Sequence, residues 1–334
     1  MIEDIRAHLD ALAKPRGAMG RLETLATELA LTQRRIDART KPRQAVLFAA
    51  DHGCVAEGVS SWPSEVTQMM VATILSGQAT SSALAAAADC PLRLVDVGMV
   101  GPRVVGPAFF RDARVADGSA PIGSGHALTP AQFDAAWAVG AGEAEAAIDA
   151  GAVLLIAGEM GIGNTTPAAC LTALLAGIDP DAAVGRGAGA DDAVLATKRR
   201  VVAAAVARAA AMPDPRAAIA SVAGLEIAAM AGFHATGAAR GATLLLDGYV
   251  ATAAALIAER LAPGSARAMI AAHRSAEPGH GAVLAALGLV PVLDWEMRLG
   301  EGSGALVALP LLDAAAALLN DVVRLDQIGA DRAD

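Results

Sequence analysis

Gly158-Glu159-Met160-Gly161-Ile162-Gly163-Asn164-Thr165-Thr166-Pro167 is the stretch that decides the fold. An apolar run at 152–157 leads into it, and an alanine- and leucine-rich helical stretch follows it. A strand that ends in glycines and passes into a helix is the unit of an α/β fold. The same texture recurs in the strand candidates 45–50, 92–97, 243–246 and 269–272, each closed by a polar residue or glycine. Continuous apolar runs suit a parallel sheet covered by helices on both faces. The predicted fold is therefore α/β and Rossmann-like. The polar strand ends, Asp51-His52-Gly53, Gly98, Gly158-Glu159, Asp247-Gly248 and His273, are expected to converge on one cleft.

Outside this core, residues 1–38 read as two helices broken at Lys14-Pro15-Arg16-Gly17, and a long helix is expected over 305–319. The organisation predicted is a small helical subdomain from 1–40 plus 305–334, and a large domain over 41–304 that carries the active site.

Composition narrows the partners. The 334 residues are 54% hydrophobic but only 3% aromatic, so small aliphatic side chains carry the core and helices should pack closely. A net charge of −9 argues against a nucleic-acid surface. Mean hydropathy is +0.46, yet the uncharged run 160–178 holds Gly161, Gly163, Asn164, Thr165, Thr166 and Pro167. It makes a poor membrane span. The start of the chain lacks a signal-peptide apolar region, so a cytoplasmic location is expected. Cys54, Cys90 and Cys170 form no metal or disulfide pattern, and the six histidines lack metal-ligand spacing, so no metal is expected.

Three glycine settings carry the candidate chemistry. In 158–167 the backbone amides of Gly161 and Gly163 can approach an anion at a helix N-terminus, with Asn164 beside them; Glu159 serves no obvious packing purpose there. Gly185-Arg186-Gly187-Ala188-Gly189 offers a second nest, and the helix after it carries Lys198, Arg199 and Arg200. Of these, Lys198 lies closer to the loop, whereas the two arginines read as a solvated face. Gly300-Glu301-Gly302-Ser303-Gly304 can bring Glu301 hard against a ligand, before a helix whose N-terminus favours its ionised form. That suits a general base. Neither early glycine run matches the dinucleotide fingerprint or the phosphate loop of ATPases.

Read together, Lys14-Pro15-Arg16-Gly17 with Gly20-Arg21-Leu22-Glu23, Ala50-Asp51-His52-Gly53 with Glu57-Gly58-Val59, the 158–167 block and Arg298-Leu299 before the 300–304 block resemble the nicotinate-nucleotide:dimethylbenzimidazole phosphoribosyltransferases of cobalamin lower-ligand synthesis. The resemblance implies a parallel α/β domain, a small helical domain from both chain ends and a homodimer. It places the catalytic base on Glu301, a second acidic residue on Glu159 and the active-site lysine on Lys198. It implies transfer of the phosphoribosyl group of nicotinate mononucleotide to dimethylbenzimidazole, or a related base, with inversion at the anomeric carbon and no cofactor. Gly161, Gly163 and Gly187 are the expected phosphate cradle, with Ser275 a weaker contributor and Gly300 against the substrate. The segment 61–70, with Trp62, Pro63 and Met70, is expected to line the base pocket. The alternatives are a non-catalytic nicotinate-nucleotide sensor, against which the glycine setting of Glu301 speaks, and an NAD-dependent oxidoreductase, against which the missing fingerprint speaks.

Overall fold

The computed structural model describes residues 1–329. Its six strands are β1 (Arg43–Ala50), β2 (Leu92–Gly98), β3 (Phe110–Asp112), β4 (Leu154–Met160), β5 (Thr243–Leu246) and β6 (Met269–Ala271). They form one sheet in the order β3-β2-β1-β4-β5-β6, and every pairing is parallel. The five strands read from the sequence are present. β3 was not foreseen, because three residues at a sheet edge carry no periodic signal.

Alternation explains why the strands read as unbroken apolar runs. In β1, Val46, Phe48 and Ala50 enter one core, while Ala45, Leu47 and Ala49 face the other side. In β4, Leu155 and Ala157 point one way and Leu154 and Ile156 the other. Both faces are dry, so both sets must be apolar.

Helices Pro130–Asp149, Thr165–Ala176, Leu225–Ala239 and Tyr249–Leu261 cover the first face. Small residues let two of them touch backbone to backbone. A Cβ on Gly140 would lie 1.7 Å from the Ala229 carbonyl oxygen, and one on Gly232 would lie 2.1 Å from that of Trp137. Alanine richness is thus spent on proximity.

The second face is covered by helices Arg21–Gln33 and Ser303–Asn320, whose buried residues share a core with Ala45, Leu154, Leu245 and Ile270 of the sheet. The chain ends meet there: His8 Nε2 lies 2.8 Å from the Leu319 carbonyl oxygen, Leu12 bridges Arg324, and Asn320 Nδ2 donates to Ala38 O at 2.9 Å. Residues 330–334 of the predicted terminal unit lie outside the described residues. Helix Ser303–Asn320 is long and apolar enough to cross a membrane by composition. Here its apolar side packs on the sheet.

Candidate active site

The cleft opens at the carboxyl ends of β4, β5 and β6, beside the point where the strand order reverses between β1 and β4. Glu159, Asp247, Gly248 and His273 from three strand ends line it. The ends of β1 and β2 do not: Asp51 and His52 are buried below it.

Glu159 sits on the floor. It is 7% exposed, and Asn164 Nδ2 donates to its Oε2. Burial pushes its carboxyl up to about 8, with the nearby charges of Glu226 and Asp247 adding to the effect; the Asn164 hydrogen bond works the other way, and Glu301 raises it further. Asn164 therefore serves the carboxylate and makes no side-chain cap on the helix it precedes.

Glu301 lies across Gly300 from Glu159. A Cβ on Gly300 would meet Glu159 Oε1 at 2.2 Å, so no larger residue fits between the two acids. Three successive residues, Gly300, Glu301 and Gly302, have φ of +89°, +59° and +71°. For glutamate that is a costly backbone, and glycines on both sides make the turn accessible. Glu301 is 1% exposed and lies just behind the cleft lining; Ser81 Oγ donates to its Oε2 at 2.7 Å. Sequence reasoning had missed Ser81, which stands in the unremarkable helix Thr80–Ala87.

Asp247 was visible as a polar strand end but not as the anchor of this turn. Its carboxylate accepts from the amides of Gly302 (3.0 Å), Gly304 (2.7 Å) and Ala305 (3.2 Å). It thereby caps the helix Ser303–Asn320 from another element, a role that no local spacing could reveal. Burial raises its carboxyl, and His273, 3.7 Å away, counters the rise.

Gly161, Gly163, Asn164, Gly187, Lys198, Ser275, Gly300 and Trp62 all border the cleft. Lys198 is 1% exposed while Arg199 and Arg200 face solvent. Its Nζ donates to Thr165 Oγ1 at 2.6 Å and to Gly185 O at 3.0 Å. Burial pushes its pKa down, against the charge of Glu277.

Two expectations need correction. The Gly187 amide donates to Glu277 Oε1 at 2.9 Å and is not a free phosphate donor in this structure; the Ser275 amide likewise donates to His280 Nδ1 at 2.7 Å. Pro63 and Met70 do not border the cleft. Pro63 faces solvent, and Met70 packs toward Leu47, Val71 and Ile74, because the helix Glu65–Leu75 turns that side to the sheet. Trp62 does reach the rim, where its Nε1 donates to Ala188 O at 3.1 Å.

Residues 1–329 match the phosphoribosyltransferase family DBI_PRT. The chain belongs to that family. Its relatives include the nicotinate-nucleotide–dimethylbenzimidazole phosphoribosyltransferases of Mycobacterium marinum, 48% identical over 98% of this chain and 92% of the relative, and of Thermus thermophilus, 46% identical over 94% of each. The crystal structure of CobT from Thermus thermophilus superposes with a TM-score of 0.95 at 44% identity, covering 99% of both chains.

Proposed function

We propose that the protein transfers the phosphoribosyl group of nicotinate mononucleotide to 5,6-dimethylbenzimidazole or a related base, releasing nicotinate and forming the α-nucleotide. The observation that carries this reading is the placement of Glu159 and Glu301 on either side of Gly300 at the cleft floor. One acid faces the cleft where a sugar would lie, and the other stands behind it where an incoming base would lose its proton.

The nucleotide carries a pyridinium on the anomeric carbon, so the ring nitrogen takes the bonding pair and leaves as a neutral pyridine nitrogen of nicotinate, without a general acid. Positive charge then develops on the ribose. Glu159 stands beside that charge with Glu226 and Asp247 near it, and because its carboxyl is pushed up to about 8 it stabilises the ribose fully only once deprotonated, toward alkaline pH. The benzimidazole attacks through one ring nitrogen, and its other N–H must be lost to leave a neutral nucleoside base. Glu301 takes that proton. Ser81 occupies one Glu301 oxygen and leaves the other for this donor. Attack on the face opposite the leaving group inverts the β-nucleotide to the α form. Lys198 and the Gly161 and Gly163 amides bind the phosphate, and Trp62 borders the base pocket; these assignments follow from their positions on the wall.

The protein is read as cytoplasmic and homodimeric. In support of a dimer, Val290, Trp295 and Leu299 expose 65%, 63% and 53% of their surface within one short segment. Incubation of the purified protein with nicotinate mononucleotide and dimethylbenzimidazole, with chromatography of the products, tests the activity. The α-nucleotide and nicotinate are expected in equal amounts; nucleotide left intact, or hydrolysed without transfer, would overturn it.

A further inference from the structure

Under the glycine turn that follows Glu159 lies a second pair of ionisable groups, which the transfer chemistry leaves unused. His52 follows β1, and Glu226 stands in the first turn of the helix Leu225–Ala239. They are 2% and 0% exposed. Nε2 and Oε1 are 2.9 Å apart, a close ion pair poorly aligned for a hydrogen bond, and neither Glu226 oxygen has a hydrogen-bond partner among the described residues. Glycines make room for the pair. A Cβ on Gly224 would lie 2.4 Å from His52 Cε1 and 2.6 Å from Glu226 Oε2, and one on Gly161 would lie 3.0 Å from His52 Nε2. Since Gly161 borders the cleft, the imidazole lies directly below the cleft floor.

Ion pairs this deep seldom return the cost of their desolvation, so packing alone is a poor reason for one. We propose that His52 and Glu226 are a positioning pair: Glu226, held by His52 beneath the Gly161 turn, governs the charge that Glu159 presents to the sugar. The proposal rests on the phosphoribosyl transfer argued above.

The groups facing Glu159 are Glu226 from its helix, Asp247 after β5, Glu301 from the turn before the last helix, and Asn164. Those facing His52 are Glu226 and Asp51, the latter itself near Asp96. Burial disfavours the imidazolium, but Glu226 and Asp51 outweigh it and raise its pKa, so the two carboxylates favour the charged ring. Glu226 thus pushes Glu159 toward the protonated form, and the His52 charge moderates that push. The two members of the pair act on Glu159 with opposite sign. A packing defect has no such signature.

The test uses the full-length protein labelled with ¹³C at the glutamate carboxyls, titrated by NMR from about pH 5 to 10, with the Glu159 signal assigned by its loss in Glu159→Gln. In Glu226→Gln the Glu159 midpoint should fall by about one pH unit, and in His52→Gln it should rise by a similar amount. The acid limb of kcat/KM should move in the same two directions. His52→Asn replaces His52→Gln if the latter does not fold. Shifts of the same sign, or unchanged midpoints in both variants, would overturn the proposal. Opposite midpoint shifts in the two variants, with a wild-type protein that transfers no phosphoribosyl group, would uphold the pair's electrostatic role and refute the functional reading instead.

Discussion

The turn at 300–304 is held by the buried Asp247 carboxylate, which accepts from two of its amides and from the amide of the next residue. The loop at 185–190 is tied from the rim by exposed side chains: Trp62 to Ala188 O, and Arg298 Nη1 to Gly187 O at 2.9 Å. Glu277 reaches the same loop from below through the Gly187 amide. One glycine loop is therefore fixed from the interior, and the other is held from both sides, by Glu277 and Lys198 beneath and by Trp62 and Arg298 at the rim. The difference matches what each must do. A base that takes a proton needs a placement accurate to a fraction of an ångström, whereas a wall that admits a nucleotide must yield.

Removing the chemistry from the fixed loop should have the largest effect. Glu301→Gln keeps size and the Ser81 contact but cannot take a proton. A fall of about 10²- to 10⁴-fold in kcat is expected, with little change in the KM for the nucleotide. Steady-state kinetics against both substrates measures it, and near wild-type kcat would move the base elsewhere, with Glu159 the next residue to test.

Loosening the fixed loop without touching its glutamate should come next. Asp247→Asn turns an NH₂ group toward amides that themselves donate, leaving at least one buried donor unsatisfied. Such a group costs about 1–3 kcal/mol, so thermal stability should fall and kcat should drop roughly tenfold or more as Glu301 loses its place. If kcat held while Tm fell, the anchor would be structural alone.

Glu159 gives a prediction with the opposite sign in stability. Its folded pKa of about 8 lies above the value expected in the unfolded chain. The folded state therefore holds the proton more tightly, and this contribution is fully present below the unfolded pKa and lost as pH rises toward 8. Glu159→Gln removes that loss. At pH 9 the variant should melt a few degrees above wild type, while at pH 5 the two should differ less; its transfer rate should fall at pH 9, where the wild-type carboxyl is ionised, and differ little at pH 5, where that carboxyl is protonated. Calorimetry at the two pH values decides it.

These contrasts also mark what could be read without coordinates. The Gly-Glu-Met-Gly and Gly-Glu-Gly-Ser-Gly blocks announced both acids, because glycines around a carboxylate leave a local trace. The five longer strands were legible because both sheet faces are dry. Lys198 could be told from Arg199 and Arg200 by its closeness to the loop. What stayed hidden depends on contacts between distant segments: Asp247 holding amides about 55 residues downstream, Ser81 on Glu301, Glu277 occupying the Gly187 amide, and Glu226 behind Glu159. Pro63 and Met70 were misplaced for a related reason. They adjoin Trp62 in sequence, but the helix that begins at Glu65 turns Met70 toward the core.

The strapped loop should give the smallest effect. Trp62→Phe keeps an aromatic ring at the rim and removes only the indole N–H that reaches Ala188 O. A half-exposed hydrogen bond contributes about 0.5–1.5 kcal/mol, because water can replace it on both sides. Freed on one side, the 185–190 loop retains Arg298 and the Glu277 contact, so the site should remain intact. The expected result is a rise in KM of about two- to tenfold, with kcat within about twofold of wild type, since the strap acts on binding and not on proton transfer. Comparing dimethylbenzimidazole with a smaller base sharpens the measurement. A tryptophan that lines the base pocket would change the ratio of kcat/KM between the two bases when shortened, whereas one that only straps the loop would raise both KM values alike. A large loss of kcat in Trp62→Phe would erase the contrast, because it would mean that the outer loop is positioned as tightly as the one that Asp247 holds.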